Sequence, residues 1–107
     1  MAIQITGTLL DACVLSVLAE GDTYGYDLTQ KIRKTLDVSE STLYPVMRRL
    51  QTDNCLTTYD EPHNGRNRRY YTITGRGLEK YQVYIKEWEA IKSCVDSVLG
   101  GGKDGGK

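Results

Sequence analysis

The chain has 107 residues, 39% hydrophobic and 26% charged, which is room for one domain and too little for several. It has no stretch near the roughly 18 consecutive apolar residues of a membrane span, and the N-terminal MAIQITGTLL lacks the basic region and cleavage site of a signal peptide, so a cytoplasmic protein with no membrane attachment is expected. The formal charge is zero, but the stretch from Lys31 to Arg76 holds nine basic residues against five acidic ones, a local surplus that a phosphate backbone senses even though the total cancels.

Residues 8–19, TLLDACVLSVLA, set Leu10, Cys13, Val14, Val17 and Leu18 at helical spacing with only Asp11 and Ser16 interrupting. This predicts a first helix wrapped on most of its sides, ended by Gly21. Thr23 is expected to cap a second helix, with Tyr24, Leu28 and Ile32 on its apolar face and Lys31 and Lys34 on the other. Gly25 reads as a point of close approach to the first helix. Leu36-Asp37-Val38 has room for a single-bridge strand and no more. Ser39 as N-cap and Glu40 in the first turn open a third helix reaching about Asp53. Leu43, Met47 and Leu50 face inward along it, and Tyr44, Arg48 and Gln51 face outward. Pro45 deletes a hydrogen bond to residue 41, so the helix either begins near it or bends there.

Residues 56–60 (LTTYD) and 69–74 (RYYTIT) are rich in β-branched and aromatic residues, and the turn signal Asn64-Gly65 lies between them. They predict a hairpin whose tip carries Arg66, Arg68 and Arg69. Thr74 caps a fourth helix to about Leu99, along which Leu78, Tyr81, Ile85, Trp88, Ile91, Val95 and Val98 recur with coiled-coil-like spacing. The closing GGGKDGGK reads as a flexible polar tail.

Three helices followed by a basic hairpin is the order of a winged helix-turn-helix, in which the third helix enters the major groove and the hairpin, or wing, follows the backbone. The fold class expected is therefore mainly α with a small β-hairpin (α+β): a DNA-binding domain over 1–74, a C-terminal dimerisation helix over 75–99 and a tail over 100–107. The candidate DNA contacts are Ser39, Ser41, Thr42, Tyr44, Arg48 and Arg49 on the third helix. Lys31 and Lys34 on the second helix and Asn64, Gly65, Arg66, Asn67 and Arg68 on the wing complete the set. Arginine suits this work because its planar fork donates two parallel hydrogen bonds to a phosphate. Two residues have competing assignments: Arg48 as part of a solvated face, and Arg49 in an ion pair with Asp53 one turn on.

Cys13, Cys55 and Cys94 lie about forty residues apart, an odd set without metal-ligand spacing, and read as reduced, buried thiols. Cys94, on the fourth helix, leaves a redox-responsive variant open. With His63 the only histidine, no credible catalytic cluster exists; no enzyme activity, metal or cofactor is expected. A winged-helix adaptor that pairs with another protein is the alternative, and the wing arginines argue against it.

The runs GDTYGYDL at 21–28, VSESTLYPVMRRL at 38–50 and RYYTITGRG at 69–77 closely resemble the PadR family of bacterial transcriptional regulators, over roughly residues 8–99. The resemblance implies a helix running through Pro45. It further implies a homodimer formed across the C-terminal helix (Leu10, Leu78, Tyr81, Ile85, Trp88, Ile91, Val95, Val98), an inverted-repeat operator on double-stranded DNA, and repression relieved by a small molecule. In a lactococcal multidrug-binding branch of the family, a Trp at the place of Trp88 stacks flat aromatic drugs between subunits. Trp88 is thus either interface core or the platform for a planar aromatic, with Tyr84 and Lys92 as companions. That branch has an acidic residue where this chain has Lys92, which suits a phenolic acid better than a cationic drug.

Overall fold

Seven elements follow one another over residues 7–100, the part of the chain that the computed structural model describes. They are helix α1 (Gly7–Glu20), strand β1 (Thr23–Tyr24), helices α2 (Gly25–Arg33) and α3 (Glu40–Thr52), strands β2 (Leu56–His63) and β3 (Arg66–Ile73), and helix α4 (Gly75–Leu99). Beyond Gly100 the expected polar tail lies outside the described residues.

The core forms where the apolar faces of the first three helices meet the root of the hairpin. Val14, Leu15 and Leu18 of α1, Leu28 and Ile32 of α2, and Leu43, Met47 and Leu50 of α3 close over Cys55 and Leu56. Each fully buried aliphatic side chain contributes about 1.5–3 kcal/mol. Leu10 belongs to this core at 4% exposure, which corrects its assignment to a subunit interface: α1 turns that side chain inward beside Val14.

Thr23 does not cap the second helix. It is buried in β1, where Thr23 and Tyr24 pair with Tyr71 and Tyr70, making a three-stranded antiparallel sheet in the order β1-β3-β2. A β-branched and an aromatic residue beside the open edge of β3 gain more from the ladder than from helix capping. The N-cap of α2 is Tyr24, without a side-chain acceptor. Thr23 Oγ1 donates instead to Asp27 at 2.6 Å, which, ahead of the nearby Lys31, holds the Asp27 carboxyl below its usual range. No strand forms at Leu36–Val38, where the turn is closed by Arg33 Nε donating to the Val38 carbonyl at 3.0 Å. Gly25 opens α2 against the rings of Tyr71 and Tyr44, not against α1.

Helix α3 runs through Pro45, with Ser39 as its N-cap. The hairpin is longer than its β-rich runs suggest, extending to His63 and Arg66 around a two-residue turn. Asn64 (φ 53°) and Gly65 (φ 81°) are both left-handed, the geometry that matches the twist of the flanking strands. Thr74 caps α4 as expected, accepting from the Gly77 amide, and also donates to the Asn54 carbonyl at 2.7 Å. This ties the end of α3 to the start of α4. From there α4 extends 25 residues, about 37 Å at 1.5 Å per residue, and gives the molecule its 61 Å long axis. None of the described helices is long and apolar enough to cross a membrane.

Candidate nucleic-acid interface

Helices α2 and α3 are held at their turn by a polar cluster. Gln30 Nε2 donates to Glu40 at 3.0 Å, and Arg33 stands 3.7 Å from the same carboxylate. Glu40 thus acts as a clasp between the two helices as well as a favourable charge at the N-terminus of α3. Sequence patterning gives no sign of the clasp, because its members lie ten and seven residues apart across a turn.

Beyond the clasp, Ser41, Thr42 and Arg48 are exposed along α3. The hydroxyls of Ser39, Ser41 and Thr42 form one cluster, with Ser39 Oγ 2.9 Å from Ser41 Oγ and 3.0 Å from Thr42 Oγ1. A helix N-terminus that presents short hydroxyls is suited to phosphate and base edges alike. Tyr44 departs from the expected outward position. It is half-buried, its ring against Gly25 and the core, so only part of it faces outward.

Arg49 does not pair with Asp53, the alternative to its role as a DNA contact. Its Nη1 and Nη2 atoms donate to Asp11 at 2.9 and 2.7 Å, a bidentate pair with α1 that raises the arginine's pKa; Asp53 adds only a lesser electrostatic effect. Periodicity could not reveal this partner 38 residues away, although a carboxylate inside the apolar run of residues 8–19 was the available signal.

The wing presents its charge along one sheet face. Alternation sends Arg66, Arg68 and Tyr70 of β3 to the same side as Tyr59, Glu61 and His63 of β2. Tyr59 and Tyr70 stack at 5.5 Å, Tyr24 meets Tyr70 edge-on at 5.8 Å, and the Arg68 guanidinium lies 4.0 Å over the Tyr24 ring. That cation–π contact fixes Arg68 near the base of the wing, while Arg66 stays exposed beside the Asn64–Gly65 turn. Tyr59 donates to Asp22 at 2.8 Å, a bond that pushes its phenol up to about 12. Arg69 leaves for the opposite face, 3.5 Å from Asp60.

The predicted second-helix cations separate. Lys34 is exposed at the C-cap of α2, whereas Lys31 is 3.3 Å from Asp27 and borders a groove between α1, α2 and α4. This groove, about 340 Å³, is walled by Cys13, Val17, Ile32, Tyr81, Tyr84 and Trp88 among others. Of the three ligand candidates, Trp88 and Tyr84 line it; Lys92 does not, being a turn beyond its end, and Lys31 is the cation at its rim. Past the groove the stripe on α4 is open, with Trp88 47%, Ile91 55% and Val98 82% exposed. Cys94 is exposed on the same helix, contrary to the expectation of three buried thiols, because none of the described residues packs over that end; Cys13 is half-buried and its thiol pushed up by burial.

The model of a family described as "Transcriptional regulator PadR-like family" matches residues 14–83. The transcriptional regulator Rv3488 of Mycobacterium tuberculosis is 33% identical over 89 residues, spanning 82% of this chain and 80% of its own length. The crystal structure of smu.1704 from Streptococcus mutans UA159 superposes with a TM-score of 0.86 at 34% identity, covering 94% of this chain and 95% of the other. The fold is also that of Bacillus subtilis PadR, solved in complex with operator DNA, with a TM-score of 0.65 at 21% identity over 72% of this chain and 46% of that one.

Proposed function

The chain belongs to the PadR-like family of transcriptional regulators, and on that premise we propose that it is a homodimeric repressor whose hold on an inverted-repeat operator is loosened by a planar aromatic ligand. The observation that carries the dimer is the stripe of Ile85, Trp88, Ile91, Val95 and Val98, left exposed along α4. A folded chain rarely leaves so continuous an apolar face to water, and a second copy of the same helix is its natural complement.

In this reading α3 enters the major groove with Ser41 and Thr42 toward the base edges. Arg48 and the partly exposed Tyr44 reach the backbone, and Arg66 and Arg68 follow the phosphates on the flank. Two-fold symmetry places half-sites about one helical turn, or a multiple, apart. The groove beneath Trp88 offers an aromatic wall and one cation, Lys31, and so suits a flat ligand carrying a carboxylate or phenolate.

Fluorescence anisotropy on the DNA just upstream of this protein's own gene, against a scrambled duplex at near-physiological salt, tests the reading. Binding about a hundredfold tighter to the native fragment is expected of a specific site. Equal, steeply salt-sensitive binding to both would leave a real basic surface with its target elsewhere. Binding to neither would favour the adaptor.

A further inference from the structure

Asp11 is an unexpected residue where it stands. Its side chain is 7% exposed on a helix that otherwise buries Leu10, Val14, Leu15 and Leu18, and an aliphatic residue there would serve the core without taking a charge out of water. The carboxylate is nevertheless well satisfied. It receives both Nη atoms of Arg49 from α3 and the Tyr84 hydroxyl from α4, the latter at 3.2 Å to the same Oδ2 that accepts Arg49 Nη1.

The topology makes this junction consequential. Helix α3 packs mainly on α1 and β2, and α4 mainly on α1 and β3, so the helix that reads DNA and the helix that carries Trp88 communicate through α1. Asp11 is the point on α1 where a charged bond to each is made. An apolar contact would let the helices slide, whereas a bidentate arginine–carboxylate pair fixes an orientation. Tyr84 also walls the groove beside Trp88, one turn away on α4. Its phenol is pushed up to about 12 by burial and by the Asp11 carboxylate, so it is a hydroxyl donor at physiological pH.

We propose that Asp11 is a positioning residue that couples the recognition helix α3 to the groove through the chain Arg49–Asp11–Tyr84, so that whatever displaces the Tyr84 hydroxyl also removes one of the three hydrogen bonds that orient the carboxylate on which Arg49 of α3 is seated. The proposal rests on the regulator reading above for its purpose, but the coupling itself can be measured without DNA. Replacing Tyr84 by Phe removes one hydroxyl and leaves the ring in place, and Trp88, the only tryptophan, is a reporter on the groove side.

In the free protein, Arg49→Lys keeps the charge and loses the fork, and it should shift the Trp88 emission although Arg49 does not line the groove. The same substitution made in a Tyr84→Phe background should produce less than about half that shift, because the two residues act as a unit. At saturating operator duplex, where differences in affinity drop out, wild-type Trp88 emission should change and the Tyr84→Phe protein should lose most of that change. An Arg49→Lys shift that is absent, or equal in both backgrounds, would overturn the coupling. Failure to bind any duplex would instead sink the DNA reading and leave the free-protein arm to decide the coupling. Circular dichroism and sedimentation of each variant separate these outcomes from misfolding.

Discussion

Substituting alanine at Gly77 should destabilise the protein, although glycine-to-alanine in a helix ordinarily stabilises by about 1 kcal/mol. Gly77 is buried in the first turn of α4, and a methyl group placed there would overlap the carbonyl oxygen of Cys55 and lie 2.8 Å from Ile73 Cγ1. Neither obstacle is the free end of a flexible side chain. The Cys55 carbonyl is held by the Thr74 amide at 3.0 Å, and the Gly77 amide by Thr74 Oγ1 at 3.0 Å, so relief requires α4 to lift off the hairpin. Overpacking of this kind costs about 1–3 kcal/mol. After offsetting the propensity gain of about 1 kcal/mol, a net loss of up to about 2 kcal/mol remains, a fall in Tm of as much as roughly 16 °C for a domain this size. Gly75, two residues earlier with nothing within 4 Å, is the matched control; Gly75→Ala should be neutral or slightly stabilising. Thermal unfolding at one fixed protein concentration, so that any self-association contributes equally, makes the comparison. If Gly77→Ala melted at or above the wild-type temperature, the close approach that sets the departure angle of α4 would be refuted.

Other consequences are open to simpler tests. The double change Arg66→Ala and Arg68→Ala should weaken binding to every duplex and reduce the slope of log K against log salt by about 0.9 for each phosphate left without its arginine; an unchanged slope would remove the wing from the interface. Val95→Asp or Ile85→Asp should give a folded monomer by sedimentation with much weaker operator binding, since a like-charged pair would face itself across the two-fold axis; a persistent dimer would show that α4 is not the interface. In an ultraviolet titration, Tyr59→Phe and Tyr84→Phe should each delete a phenol ionising near pH 12. Because the fold raises the Tyr84 pKa from 10.0 to about 12, its contribution to stability is complete below pH 10 and lost as the pH climbs through 12. A Tyr84 phenol that titrated near 10 would show that neither burial nor the Asp11 carboxylate raises it in the folded protein.

Local chemistry was legible from the chain alone. The spacing of Leu43, Met47 and Leu50, the Ser39 and Thr74 caps, the Asn64-Gly65 turn and the apolar stripe from Leu78 to Val98 announced three helices, a basic hairpin and a long final helix, since each signal lies within a few neighbouring residues. Such signals sufficed for a winged helix-turn-helix and for the exposure of Ser41, Thr42, Arg48 and Arg66. Tertiary packing alone decided what depends on residues far apart in sequence. Thr23 abandoned its cap for β1 because the edge of β3 was there to pair with, and Leu10 turned inward with the rest of the α1 face that the core closes over. Arg49 pairs with Asp11 on another helix, not with the nearer Asp53, and the cation that borders the groove is Lys31 of α2, not Lys92. A helix propensity or a turn is settled by near neighbours, whereas the partner of a buried charge is whatever the completed fold brings within reach.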